Sequence, residues 1–173
     1  MIIAGPEVSV GKVVNTPVSL VDCFPTALEC VGAEPIADDL PGNSIWQIAQ
    51  ANDQERTVFS EYHALGSEHG SYMLRNSRYK YIYHVNEPPQ FFDLVNDPNE
   101  CNDLAETLEH RSQLQNFEIE LREILDPEMV NGEAHASQKE KIKTAGGIEA
   151  VVQRGAFDHS PTPGEKAAFR QMK

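Results

Sequence analysis

Apolar and polar positions alternate most regularly between residues 56 and 94. RTVFSEYH (56–63), SYMLRN (71–76) and YKYIYHV (79–85) are rich in β-branched and aromatic side chains, and each predicts a strand. Pro88-Pro89 breaks the pattern, and Phe91-Phe92-Asp93-Leu94 predicts a fourth. Asn76-Ser77 leaves room only for a tight turn, so the second and third strands predict a hairpin. Such short connections predict an antiparallel sheet of four strands. The period then changes. Leu114, Phe117, Leu121 and Leu125 recur at helical spacing and predict a long amphipathic helix over 104–125, stopped by Asp126-Pro127. Its apolar stripe belongs on one face of the sheet, because a lone four-stranded sheet needs a cover.

The flanks are less regular. Leu20, Val21, Phe24, Leu28 and Val31 recur at helical spacing, Ser19 with Asp22 has the form of a capping box, and Gly32 follows as a stop. Pro25 is tolerated only in the first turn of that helix or at a kink. Before it, Met1-Ile2-Ile3-Ala4 predicts a buried strand ended by Gly5-Pro6, which implies a chain that starts inside a domain. Pro35, Asp38-Asp39 and Pro41-Gly42 predict a loop ahead of Ile45, Trp46 and Ile48. The tail from Glu128 is polar, with one helix up to Gly146-Gly147 and another over 148–154. The fold class expected is α/β, in detail an α+β fragment, divided at 1–50, 51–127 and 128–173.

Charge narrows the partners. A net charge of −13 excludes nucleic acid as the default ligand, since a phosphate backbone asks for a basic face. No apolar run reaches the ~20 residues that span a bilayer, and the opening lacks the basic lead of a signal peptide. Cys23, Cys30 and Cys101 form no close pair, so free thiols in a reducing compartment, the cytoplasm, are the expectation. The unpaired strand expected at Ile2-Ile3 would invite homo-oligomer formation.

Glu61-Tyr62-His63 and Glu68-His69 place two carboxylates and two imidazoles within nine positions. Such groups ligate metals or move protons. Glu61 and His63 are two apart on a strand and share a face, whereas Glu68 and His69 fall in a Gly66/Gly70 loop. That spacing is neither HExxH nor an aspartate-rich calcium loop, so a polar strand end facing a cleft accounts for it better than a metal site. Arg75, Arg78 and Lys80 alternate with aromatics and read as an amphipathic strand with solvated charges; His84 reads as a polar-face residue. Asp158-His159 has no nucleophile nearby in sequence, so no triad is legible. Cys23 lies in a row with Ala27 and Cys30 and lacks a neighbouring cation to lower its pKa, which fits a small filler on a packed helix flank.

The chain as a whole resembles the sulfatases of the alkaline phosphatase superfamily. MIIAGPEV…GKVVNTPVSLVDCFPTALECVGAEP is similar to the last strand and helix of their catalytic domain, written there as an apolar strand, GPG, then VSLVDLxPTLLxLAG. RTVFSEYH, MLRNSRYKYIY and QFFDLVNDPNECNDLA resemble their C-terminal subdomain, and the tail SQKEKI…GG…VQRG…FDHSPTP resembles the ending of choline-sulfatase-like members. The resemblance implies an alkaline-phosphatase-like catalytic edge plus an antiparallel subdomain. It also implies a parent enzyme that hydrolyses sulfate esters through a calcium-bound formylglycine. The motif that yields formylglycine is C-x-P-x-R, and here CFPTA has Ala27 in place of its arginine. The paired calcium aspartates are missing as well, so this chain alone is expected to be inactive, without a catalytic residue or cofactor of its own. By the same resemblance Glu61, with His63 beside it, is the candidate for recognising a group of a small sulfate ester, including a cationic one. Two alternatives stand beside this: the same part of a phosphoesterase or phosphonate hydrolase, and a non-catalytic module that binds a partner.

Overall fold

The computed structural model describes residues 1–6, 8–33, 41–51, 53, 55–63, 67–157 and 169–170. They fall into two compact units, Met1–Leu125 and Asp126–Lys173. The first begins with a 3-10 turn, Leu20–Asp22, which runs into α1 (Cys23–Val31). Pro25 is in the first turn of α1, where a backbone N–H has no helical acceptor to lose. Gly32 ends the helix at φ 64°, a left-handed conformation that a Cβ would strain.

Asp22 is fully buried and gathers three chain segments. Its carboxylate accepts from the Ser19 N–H at 2.7 Å, the Asn43 N–H at 3.0 Å and Arg56 Nη2 at 2.8 Å. Arg56 also donates to the Pro17 carbonyl. One turn on, the Thr26 hydroxyl donates to the Asp22 carbonyl and accepts from the Ile45 N–H at 2.8 Å. That bond sets the start of α2 (Ile45–Ala51), whose Ile45 and Ile48 are buried. The chain crosses itself closely here. A Cβ on Gly42 would lie 2.7 Å from the Val21 carbonyl oxygen.

Two expectations for this segment are corrected. Residues 1–4 form no strand, and Ile2 is 96% exposed. A strand is held by a neighbour that takes up its N–H and C=O groups, and among the described residues none lies alongside. Cys23 does not pack on the described residues either: no residue of α1 is buried, and Cys23, Cys30, Leu20, Phe24 and Val31 are all exposed within this chain.

β1 (Val58–Tyr62), β2 (Ser71–Arg75), β3 (Tyr79–His84) and β4 (Gln90–Asp93) form one antiparallel sheet in the order β1-β2-β3-β4. Asn76 builds the expected turn, its side-chain oxygen accepting from the N–H groups of Arg78 at 2.9 Å and Tyr79 at 2.7 Å. Alternation puts Tyr72, Leu74, Tyr81 and Phe91 on one face, all fully buried. The helix stripe covers that face as expected. Phe117 of α3 (Arg111–Ile124) meets Phe91 at 5.6 Å and Tyr81 at 6.3 Å between ring centroids, and Leu121 is fully buried beside it.

The start of that helix is corrected from residue 104 to Arg111. The Asp103 carboxylate accepts from the Phe91 N–H at 3.0 Å and the Ala105 N–H at 2.9 Å, while the Leu104 N–H donates to the Phe91 carbonyl at 2.8 Å. These bonds tie residues 103–105 to the sheet edge and compete with a helical turn. In the second unit Asp126-Pro127 opens a helix as well as ending one: Asp126 accepts from the Met129 N–H at 2.9 Å and Pro127 occupies the first turn of α4 (Pro127–Thr144). Then come α5 (Ile148–Arg154) and the short strands β5 (Ala156–Phe157) and β6 (Phe169–Arg170), which pair antiparallel.

Asp93 closes the far end of the sheet. It accepts from Arg78 Nη2 at 2.9 Å and Nε at 3.2 Å, and from Val95 and Asn96. Burial alone would raise its pKa, but the bonds from Arg78, Asn96 and Val95 outweigh burial and hold the carboxyl below its ordinary 3.8. A depressed folded pKa adds stability above the unfolded value, and that stability is lost as pH falls through the folded value. In urea titrations the advantage of the wild-type chain over Asp93→Asn should be constant above about pH 5. It should shrink below 3.8. Parallel pH profiles for the two proteins would contradict this role.

Candidate functional site

The pair singled out in sequence is brought together. Glu61 is the penultimate residue of β1, opposite Tyr72, and His63 follows one residue past the strand. His63 Nε2 lies 3.4 Å from Glu61 Oε2. An ionised carboxylate only accepts, so Nε2 is the donor there. The imidazole stands edge-on to Tyr72, with centroids 5.3 Å apart and planes at 76°. The Glu61 side chain is 46% exposed and that of His63 21%, so the carboxylate faces outward and the ring is set behind it. Tyr62 alternates to the other face, opposite Ser71, so it does not share the side of Glu61.

Other candidates take structural roles. Arg78 pairs with Asp93, whose hydrogen bond and charge raise the guanidinium pKa, and Lys80 pairs with Glu100 at 2.6 Å. Glu100 has φ 55°, and the ion pair with Lys80 anchors its side chain there. The alternating cations therefore do not form an anion-binding stripe; Arg75 is exposed. Glu68 and His69 lie in a bend ahead of β2, and among the described residues no three His, Cys, Asp or Glu side chains are grouped to hold a metal. Asp158 and His159 lie outside the described residues.

One cluster was missed in sequence. Ser71 Oγ is 2.8 Å from His84 Nδ1, and His84 Nε2 is 3.3 Å from Gln90 Oε1. His84 is thus one member of a polar row across β2, β3 and β4, not a lone polar-face residue. Counting outward from the Asn76 turn already pairs Ser71 with His84, so the signal was available.

With this geometry in view, known proteins place the chain. Solved structures share its fold. One is a protein in complex with its substrate D-glucosamine-2-N,6-O-disulfate (TM-score 0.51, 22% identity, 60% of this chain and 23% of that one). Another is a 2-O GAG sulfatase (TM-score 0.50, 22% identity, 58% and 23%). The helices and four-stranded sheet are thus part of an α/β architecture shared with these proteins. The chain belongs to the sulfatase family: residues 1–127 match the region described as N-sulphoglucosamine sulphohydrolase, C-terminal. Arylsulfatase K of Danio rerio is 34% identical over 151 residues, and that of Xenopus laevis 29% over 155 residues. Each match takes in 82% of this chain, which spans about 28% of the length of these relatives. The sulfatase resemblance read from VDxFPT, the YKYI strand and the DPNE loop is thereby confirmed. The finer likeness to choline-sulfatase-like members rests on the words of the tail alone.

The exposure of all three cysteines gives a direct check. In the native chain Cys23, Cys30 and Cys101 should all react with a thiol reagent at rates close to those in urea. Strong protection of Cys23 would restore the packed-filler assignment.

Proposed function

We propose that the chain is the C-terminal portion of a sulfate-ester hydrolase and acts by completing its substrate cleft. The family match over residues 1–127 carries this reading. In it, residues 1–50 are the edge of the catalytic domain, 51–127 the antiparallel subdomain, and 128–173 a polar tail. The exposed apolar side chains Leu20, Phe24 and Val31 support the first division. They are the face by which α1 meets the rest of the catalytic domain that the longer relatives carry.

The hydrolysis itself is assigned to residues outside this chain: a formylglycine from C-x-P-x-R, and a calcium ion that neutralises the sulfate. CFPTA lacks the arginine at Ala27. Calcium asks for about six to eight oxygen ligands, and the Glu61–His63 pair supplies no such set. The described residues therefore do not fit the ion.

What this chain contributes is recognition. Glu61 is half-exposed at the end of an edge strand and can accept from an N–H or O–H donor, or attract a cation, on the organic part of the ester. His63 holds one of its oxygens. The substrate class is a small sulfate ester, with sulfated sugars favoured over plain aryl sulfates by this donor-seeking carboxylate.

The reading expects the purified chain to leave p-nitrophenyl sulfate intact in the presence of calcium. Steady release of p-nitrophenol above buffer, co-purifying with the chain, would contradict it.

A further inference from the structure

His63 lies just beyond β1, where the ladder no longer fixes it, yet its ring is held from two sides. One wall is Tyr72, fully buried, presenting its ring 5.3 Å from the imidazole. The other is the backbone of Gly70. A Cβ built there would stand 2.8 Å from His63 Cε1, 3.0 Å from its Nδ1 and 3.0 Å from Tyr72 Oη.

Conformation does not explain the glycine. Gly70 lies outside the left-handed region occupied by Gly32 and Gly42, so its backbone is one that any residue adopts. Space is the remaining reason. Nor can the backbone retreat freely, because the Gly70 carbonyl accepts from the Val85 N–H at 3.1 Å and Ser71 next to it is already paired with Tyr62 and His84. An added methyl group would therefore displace the imidazole, the movable side of the contact. The ring would leave the position from which Nε2 reaches Glu61 at 3.4 Å.

We propose that Gly70 and Tyr72 are positioning residues: together they cradle His63 so that it fixes one oxygen of Glu61 and leaves the other free for a donor on the substrate. This rests on the reading of Glu61 and His63 as substrate-facing. The chemistry follows from the geometry. A carboxylate anchored through one oxygen presents the second in a fixed direction, which suits an ammonium or hydroxyl N–H/O–H donor of a sulfated amino sugar. A quaternary cation, which has no donor, gains nothing from that direction.

The test is NMR of the whole 173-residue chain, with His63 ring signals followed in the wild type, Gly70→Ala and Gly132→Ala. Gly132 is the control, because a Cβ there meets nothing within 4 Å. Gly70→Ala should move the His63 signals and leave those of Phe117 in place, and Gly132→Ala should move neither. Unmoved His63 signals in Gly70→Ala would overturn the cradle. Where Gly70→Ala lowers stability too far for spectra, urea titration of the double mutant decides. His63→Ala should relieve at least half of the loss in urea midpoint caused by Gly70→Ala, and no relief would overturn the proposal. Titration with glucosamine 6-sulfate then separates the two layers. In the wild type it should shift His63, with at least fivefold weaker binding in Gly70→Ala and no more than a twofold change for Gly132→Ala. If His63 moves with the mutation but answers the sugar in neither protein, the cradle stands and the substrate-facing reading falls.

Discussion

The buried carboxylate of Asp22 is the constraint on which the placement of the α1–α2 segment depends. Three donors from positions 19, 43 and 56 converge on two oxygens, and only one of them is a neighbour in sequence. A carboxylate this deep must be matched by partners, since removing one side of a buried pair costs about 3–5 kcal/mol. Arg56 is the match, and it stands two residues ahead of β1. The same bond that neutralises Asp22 therefore joins the α1–α2 segment to the strand that carries Glu61. Thr26 repeats the device with its hydroxyl, linking the carbonyl of Asp22 to the start of α2. The Asp and Thr of the family signature are thus explained by what their side chains hold.

A second set of constraints acts at the other end of the sheet. Asp93, Asp97 and Asp103 each turn a short acidic loop into a brace: Asp97 accepts from the Asn102 N–H at 2.7 Å, and Asp103 from Phe91 and Ala105. The acidity that argued against nucleic acid is in part spent internally, on backbone N–H groups and on Arg56, Arg78 and Lys80. The outward carboxylate of Glu61 is different in kind, because the imidazole takes only part of its accepting capacity. That contrast is what supports the proposal that it serves in recognition.

Sheet and covering helix were legible in the sequence because alternation and helical spacing report on faces, and Asn76 reports on its own turn. Local patterns lost their reach where a side chain bonds far along the chain. Asp103 delays α3 by bonding to Phe91, twelve residues back, so the helix expected from 104 starts at Arg111. Residues 1–4 have the composition of a strand but no partner among the described residues, and composition cannot supply one. Of the candidate site, the shared face of Glu61 and His63 was legible from their period-two spacing, and their candidacy from the family resemblance. Gly70 was not, because its contact with His63 depends on how the chain returns after β1. Cys23, chemically the most conspicuous residue of its helix, has no role in that site; its neighbours Asp22 and Thr26 were the informative ones.

The central claim is that Asp22 clamps the α1–α2 segment onto a sheet that stands without it. Amide hydrogen exchange of Asp22→Ala measures this residue by residue. The N–H groups of Asn43 and Ile45, both held by the clamp, should lose protection, while those of Leu74 and Tyr81 within the sheet keep theirs. Unchanged protection at Asn43 and Ile45, or an equal loss throughout the sheet, would contradict the account.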